Sequence, residues 1–333
     1  MIVLDADVLG RARTGDETYV RNLLLQLPTV APDLRFGAVT RHPELVPPGV
    51  EAIELPARSQ ELRMAWSFPR LLRRLKPELA HFQYALPLGY RGRSVITVHD
   101  LSFETGVGGM SRAERAVFRA VVPRAVARAD RVLVVSERTK ADVVAHYGAD
   151  ASRIVVTPNG VDPRYTPGPG RHDYVLFVGA IHSRKDPWSA LAAAQHVGLP
   201  LVVAGPDRDP AITAALRAGG ADLRGYVTAD ELLELYRGAA ALVLPSRFEG
   251  FGLPVAEAMA CGTPVVLSSE PALREVAGDA GVYAEHGDYG AALERALAER
   301  KELSIAGLAR AKQFTWEAAA RVTAQTYRQV LGA

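Results

Sequence analysis

The strongest constraint on this chain is a pattern that runs, breaks and runs again. Short apolar stretches alternate with helical ones. In the first half the runs IVLDADV (2–8), LRFGAVT (34–40), VEAIELP (50–56), ELAHFQ (78–83), SVITVHD (94–100), RVLVVS (131–136) and RIVVTP (153–158) read as strands. Between them, residues 15–27, 59–75, 111–128 and 137–147 read as helices. Strands this continuously apolar must be covered on both faces, which calls for a parallel, doubly wound sheet with helices on either side. The segment DPRYTPGPGRHD (162–173) then gathers three prolines and two glycines and reads as a linker. The alternation restarts with YVLFVG (174–179), PLVVAG (200–205), DLRGYV (222–227), AALVLP (240–245), TPVVLS (263–268) and AGVYAE (280–285). A length of 333 residues suits two such α/β domains. The expected organisation is an N-terminal domain at 1–162, a linker at 163–173, a C-terminal domain at 174–313 and a final amphipathic helix within 314–333. Ligands of open α/β sheets sit at the carboxyl ends of the strands, and two such domains leave a cleft for them.

Composition narrows the function. With 39 basic and 37 acidic residues the net charge is +2, so bulk nucleic-acid binding is not expected. No apolar run approaches a membrane span. The start, MIVLDADVLG, lacks a basic region and a cleavage pattern, so no secretory signal is expected. The single Cys261 excludes an internal disulfide and fits a reducing, cytoplasmic location. Residues 57–77 hold six basic side chains against Glu61 alone, with Trp66 and Phe68 among them. Two readings stay open there: a helix lying peripherally on the inner membrane face, or a surface helix whose arginine stems cover the core. Only five lysines occur, Lys76, Lys140, Lys185, Lys301 and Lys312, so each is more informative than an arginine.

The stretch PSRFEGFGLPVAEAMACGTPVV (245–266) carries the most chemistry. A buried strand leads into a turn at Gly250, Phe251 and Gly252, where the backbone can approach a ligand closely. Pro254 suits the start of the helix that follows, and the free N–H groups there, near Leu253, favour a phosphate. Glu249 and Glu257 stand on either side of this turn, eight positions apart. An ordinary strand–turn–helix unit could carry the same glycines. The whole string, however, resembles the E-x7-E element of the retaining, GT-B-type glycosyltransferases of family 4. AIHSRKD (180–186), after Gly179, looks like the stretch in which that family holds donor phosphates, and places Lys185 on the phosphate-binding lysine. Ala180 stands where many members have arginine, and Arg184 is expected to take over part of that role. VHD (98–100) places His99 on the family histidine that contacts the donor sugar. RTGDETYVRNLLL (13–25) resembles the family's glycine-containing loop and first helix, with Gly15 at the close approach. PNGVD (158–162) and LRGYV (223–227) also match, the latter placing backbone groups of Tyr226 and Val227 beside the nucleobase.

The resemblance implies a GT-B fold of two Rossmann-like domains whose last helix crosses back to the first. It implies sugar transfer with retention from a nucleotide-diphosphate sugar, GDP-mannose being the first expectation, to a hydroxyl of a glycan or lipid-linked glycan. TVHDLSFE and VGAIHSRKD look most like bacterial mannosyltransferase-type members of polysaccharide assembly. No metal or other cofactor is expected: the histidines show no ligand spacing, and the D-x-D strings at Asp5–Asp7 and Asp207–Asp209 read as strand-end coincidences. Two rivals keep the same donor-side groups, a sugar phosphorylase or nucleotide-sugar epimerase, and a non-catalytic nucleotide-sugar binder.

Overall fold

The computed structural model describes residues 1–11, 14–57, 59–106 and 110–332. Arg13 of the 13–25 motif and Arg58 of the basic segment therefore lie outside the described residues. The chain divides into two units, one of Met1–Leu101, Arg112–Gly160 and Trp316–Ala333, the other of Ser102–Ser111 and Val161–Thr315.

The first unit holds seven strands: β1 (Ile2–Asp5), β2 (Phe36–Thr40), β3 (Glu51–Glu54), β4 (Leu79–Gln83), β5 (Ser94–Val98), β6 (Arg131–Val134) and β7 (Ile154–Val156). Their spatial order is β3-β2-β1-β4-β5-β6-β7, every pairing parallel. β1, β2 and β5 are buried at every position, as strands covered by helices on both faces must be. The second unit holds six: β8 (Val175–Val178), β9 (Leu201–Ala204), β10 (Asp222–Gly225), β11 (Ala241–Leu244), β12 (Val265–Leu267) and β13 (Gly281–Tyr283). The order is β10-β9-β8-β11-β12-β13, again all parallel. Each sheet reverses direction once, between β1 and β4 in the first and between β8 and β11 in the second. A reversal leaves a crevice at the carboxyl ends of the two central strands, because their crossover helices leave on opposite faces.

The C-terminal helix Trp316–Leu331 belongs to the first unit and lies along the helix Thr14–Val30. A buried hydrogen-bond relay fastens it. The Tyr327 hydroxyl meets His81 Nδ1 at 2.6 Å, His81 Nε2 meets Thr97 Oγ1 at 2.7 Å, and Thr97 Oγ1 meets the Tyr19 hydroxyl at 3.0 Å. Burial pushes the His81 imidazole down to about 3, so it is neutral and must give on one side and accept on the other. The relay ties Tyr327 of the last helix through His81 and Thr97 to Tyr19 of the helix Thr14–Val30. One turn before Tyr327, the Thr323 hydroxyl donates to the Ala319 carbonyl at 2.8 Å.

The basic segment 57–77 folds as a short helix Gln60–Leu62, a π-turn Arg63–Ser67 and a helix Phe68–Leu75. The helix Phe68–Leu75 buries Phe68, Leu71 and Leu72 and exposes Arg70, Arg73 and Arg74, as a surface helix covering the core does, but one arginine of the segment is not at the surface. Trp66 is exposed and Arg70 lies over its ring at 4.2 Å, but Arg63 is fully buried. Its guanidinium bonds both oxygens of Asp5, at 2.7 and 3.2 Å, and stands 3.5 Å from Asp7. Arg41 grips Asp7 bidentately, with both bonds at 2.9 Å. The first D-x-D string thus anchors arginines at the end of β1. In the second, Asp209 caps the helix Pro210–Ala218 and Asp207 accepts the Asp209 N–H at 3.0 Å.

Removing one partner of a buried pair leaves the other charge uncompensated. Arg63→Ala is therefore expected to cost about 3–5 kcal/mol in urea denaturation. Arg73→Ala, exposed on the same segment, should cost no more than about 0.5 kcal/mol. Equal small losses would show that the network contributes nothing to the fold.

Candidate active site

The crevice of the second unit is built from the loops after β8 and β11, the two strands at the reversal. Two short bonds lace the loops together. The Arg247 N–H donates to the Arg184 carbonyl, and the Arg184 guanidinium donates to the Phe248 carbonyl, each at 2.9 Å. Lys185 ends a 3-10 turn, Ser183–Lys185, and its ammonium is hydrogen-bonded to the carboxylate of Glu249. These two side chains are only 12% and 7% exposed, so the pair is held out of water. Gly179 lies behind the lysine: a Cβ there would stand 3.7 Å from Lys185 Cε.

Beyond Glu249 the chain turns sharply. The ring of Phe251 is buried edge-on against Phe314 at 5.5 Å, so its backbone rather than its side chain is left for a ligand. Gly252 has φ +101°, and a Cβ there would come within 2.6 Å of Leu273. Both facts exclude other residues. With Gly250 it feeds the helix Leu253–Ala260, whose first turn carries Pro254 and presents N–H groups with no partner inside the helix. Glu257 is one turn further on and buried. Its carboxylate accepts the Tyr236 hydroxyl at 2.8 Å, and the Tyr236 ring packs on Tyr165 at 5.7 Å. Neither tyrosine is marked by a sequence motif; Tyr236 comes from the helix Ala229–Gly238.

The two glutamates differ electrostatically. Burial alone would raise the Glu249 carboxyl, but Lys185 and Arg184 outweigh it and hold it below the ordinary value, so it is an anion. Glu257 has no such cation. Burial raises it to about 7, the Tyr236 bond opposing and Asp162 assisting. His182, between β8 and Lys185, is pushed down to about 4 by burial and by Arg184 and Lys185. Its Nδ1 accepts the Arg184 N–H at 3.2 Å, which fixes a neutral ring with the proton on Nε2. No role is expected of this histidine from the sequence.

Other predicted residues stand elsewhere. Tyr226 and Val227 follow β10, the edge strand two places from β8, and Tyr226 is exposed. Gly15 and His99 belong to the first unit. Gly15 is in the first turn of the helix Thr14–Val30, where a Cβ would meet nothing within 4 Å. His99 follows β5. Its Nε2 is 2.8 Å from Gln83 Oε1 and 4.0 Å from Asp16, and its ring packs edge-on against Tyr19 at 4.8 Å. On another side lies Tyr84, ring centroids 5.5 Å apart. Tyr84 follows β4 with φ +61°, inside a three-residue turn closed by the Ala85 N–H on the Gln83 carbonyl at 2.7 Å. For a bulky residue that conformation costs about 1–3 kcal/mol. Among the described residues no group of three His, Cys, Asp or Glu gathers as a metal site.

Comparison with known proteins gives the family and the fold. The profile described as Glycosyltransferase Family 4 matches residues 15–165, and that of Glycosyl transferases group 1 matches 172–300. The chain is 30% identical over 267 residues to an O-antigen chain mannosyltransferase B of Escherichia coli, covering 71% of this chain and 70% of that protein. It is 34% identical over 275 residues to a D-inositol 3-phosphate glycosyltransferase of Geodermatophilus obscurus, covering 72% of this chain and 60% of that one. The match therefore spans about three fifths of the latter enzyme's length. Among solved structures, a sucrose-phosphate synthase from Thermosynechococcus elongatus superposes with a TM-score of 0.81 at 21% identity, covering 99% of both chains. Anabaena Alr3699/HepE in complex with UDP-glucose gives 0.73 at 14% identity, covering 100% of this chain and 99% of that one. These structural likenesses establish the GT-B fold. Together with the sequence matches they place the chain in the family 4, group 1 glycosyltransferases.

Proposed function

We propose that this protein transfers a sugar, with retention of anomeric configuration, from a nucleotide-diphosphate sugar to a hydroxyl of a glycan or lipid-linked glycan. The observation that carries the reading is the buried Lys185–Glu249 pair beside the start of the helix Leu253–Ala260. Breaking the anomeric C–O bond leaves negative charge on the diphosphate and positive charge on the sugar. Lys185, Arg184 and the N–H groups at Gly252 and Leu253 supply fixed positive charge for the departing diphosphate, so leaving-group stabilisation needs no metal. Glu249 is ionised and within reach of the same place. It holds the sugar ring, with backbone groups of Phe251 and Gly252. Glu257 takes the ribose hydroxyls, Tyr226 and Val227 border the base, and Gly179 and Gly15 allow close backbone approach. His99 contacts the sugar. The acceptor proton passes to the leaving phosphate, so no enzyme carboxylate serves as nucleophile.

GDP-mannose is the donor we put first, supported by the mannosyltransferase named among the relatives. Thermal-shift measurements with GDP-, UDP-, ADP- and dTDP-sugars, each with and without EDTA, test donor and metal independence together. Stabilisation by one nucleotide class that survives EDTA is expected; stabilisation only with added cation would overturn the metal-free reading.

Two further outcomes follow from the site. Lys185→Ala and Glu249→Ala should each lower kcat by about 10²–10³-fold in a donor-turnover assay. Near-native turnover by either variant removes it from the mechanism. Glu257 makes a pH prediction. Between pH 4.5 and about 7 its carboxyl keeps a proton in the folded protein that the unfolded chain has lost. Its contribution to stability is therefore complete below pH 4.5 and drains as pH rises through 7, a loss of about 3 kcal/mol. Glu257→Gln, neutral throughout, should be the more stable protein at pH 8, with the difference closing towards pH 5. A gap independent of pH would show that Glu257 does not titrate in this range.

A further inference from the structure

The surroundings of His99 assign a role to a residue that no motif marks. β4 and β5 are adjacent parallel strands, and the residues after them meet at their carboxyl ends. Gln83 and Tyr84 come from the first, His99 and Asp100 from the second. Besides Asp16 at 4.0 Å, three contacts converge on the imidazole: Gln83 at Nε2, the edge of Tyr19, and the ring of Tyr84. Tyr84 also reaches past His99, since its hydroxyl accepts the backbone N–H of Asp100 at 3.2 Å. Behind it, Phe118 packs edge-on at 5.5 Å and limits how far the tyrosine ring can swing away. All this depends on the turn at Tyr84. A strand residue in the ordinary extended conformation would continue the strand direction, whereas φ +61° and the closed three-residue turn redirect the side chain onto β5. Glycine would adopt the same backbone with less strain, so what the position keeps at that cost is the ring and hydroxyl of Tyr84. Strain kept at the end of a central strand, next to a histidine, points to function rather than to folding.

We infer that Tyr84 is a positioning residue for His99: its strained turn holds the ring and hydroxyl that fix the imidazole and the backbone after it for contact with the donor sugar. The inference rests on the proposed sugar contact of His99. It goes beyond that contact in naming what holds the histidine in place. Gln83 sets which nitrogen is engaged, and Tyr84 sets where the ring stands.

The test has two independent arms, both on the full chain. In the first, histidine is labelled with ¹⁵N and the imidazole of His99 is identified by its disappearance in His99→Ala. Tyr84→Ala and Tyr84→Gly should both move that resonance and speed exchange of its ring proton, while Tyr84→Phe, which keeps the ring, should leave it near its original place. In the second arm, release of nucleoside diphosphate is followed with GDP-mannose and with UDP-glucose as donor probes. His99→Ala and Tyr84→Ala should each lower kcat by about tenfold or more. The double variant should match His99→Ala alone within about twofold, because a residue acting through another adds nothing once the other is gone. Tyr84→Gly should melt at a higher temperature than Tyr84→Ala yet be as slow, since glycine relieves the backbone without restoring the ring. An unmoved His99 resonance in Tyr84→Ala, or fully multiplied losses in the double variant, would overturn the positioning role. A shifted resonance together with an undiminished rate in His99→Ala would instead overturn the sugar contact of His99 and leave the geometry standing.

Discussion

An ammonium and a carboxylate held together away from water are the feature on which the account turns. Taking Lys185 and Glu249 out of solvent costs each its hydration, and their mutual attraction offsets this only when the geometry is good. Such a pair is a poor choice for stability, and an apolar pair of similar volume would fill the space as well. Its place in the fold gives it a purpose. It forms where the strand order of the second sheet reverses, with one partner supplied by the loop after β8 and the other by the loop after β11. The start of a helix lies in the same crevice. An anionic group entering there meets a cation and a set of free N–H groups that are already in position, so little reorganisation accompanies its binding.

Around this pair the protein divides its acidic groups by environment. Glu249 is kept ionised by the cations beside it, and Glu257, further along the same segment, is pushed up to about 7 by burial against the opposing bond from Tyr236. Two carboxyls eight residues apart thereby have different protonation behaviour at the same pH. The first unit shows a parallel economy of buried polar groups. One relay of four side chains runs from Tyr327 on the C-terminal helix through His81 and Thr97 to Tyr19, whose ring also touches His99. The last helix of the chain is thus coupled to the side of the first sheet where the candidate sugar-contacting residue stands.

The strands were legible because parallel, doubly covered strands are apolar along their whole length. Runs such as SVITV and ALVLP can be little else once a helical pattern follows each of them. The glycine turn before Leu253 was legible too, since φ +101° at Gly252 is a demand on residue type that a sequence displays openly. What local pattern did not show were the pairings at long separation. Arg63 looks like one more surface arginine, and arginine is rarely found fully buried. Its partner Asp5 is 58 residues away, so nothing near position 63 announces the burial. Tyr236 and Glu257 meet for the same reason without a motif. Tyr84 was hidden differently: a positive φ at an aromatic residue runs against preference, and preference is all that a single sequence offers.

The most direct test is a crystal structure of the protein with a nucleoside diphosphate bound. The account predicts phosphate oxygens within hydrogen-bond distance of the Lys185 ammonium and of the N–H groups of Gly252 and Leu253, with the ribose beside Glu257. A diphosphate seated away from the crevice between β8 and β11, with the Lys185–Glu249 pair still closed, would contradict it.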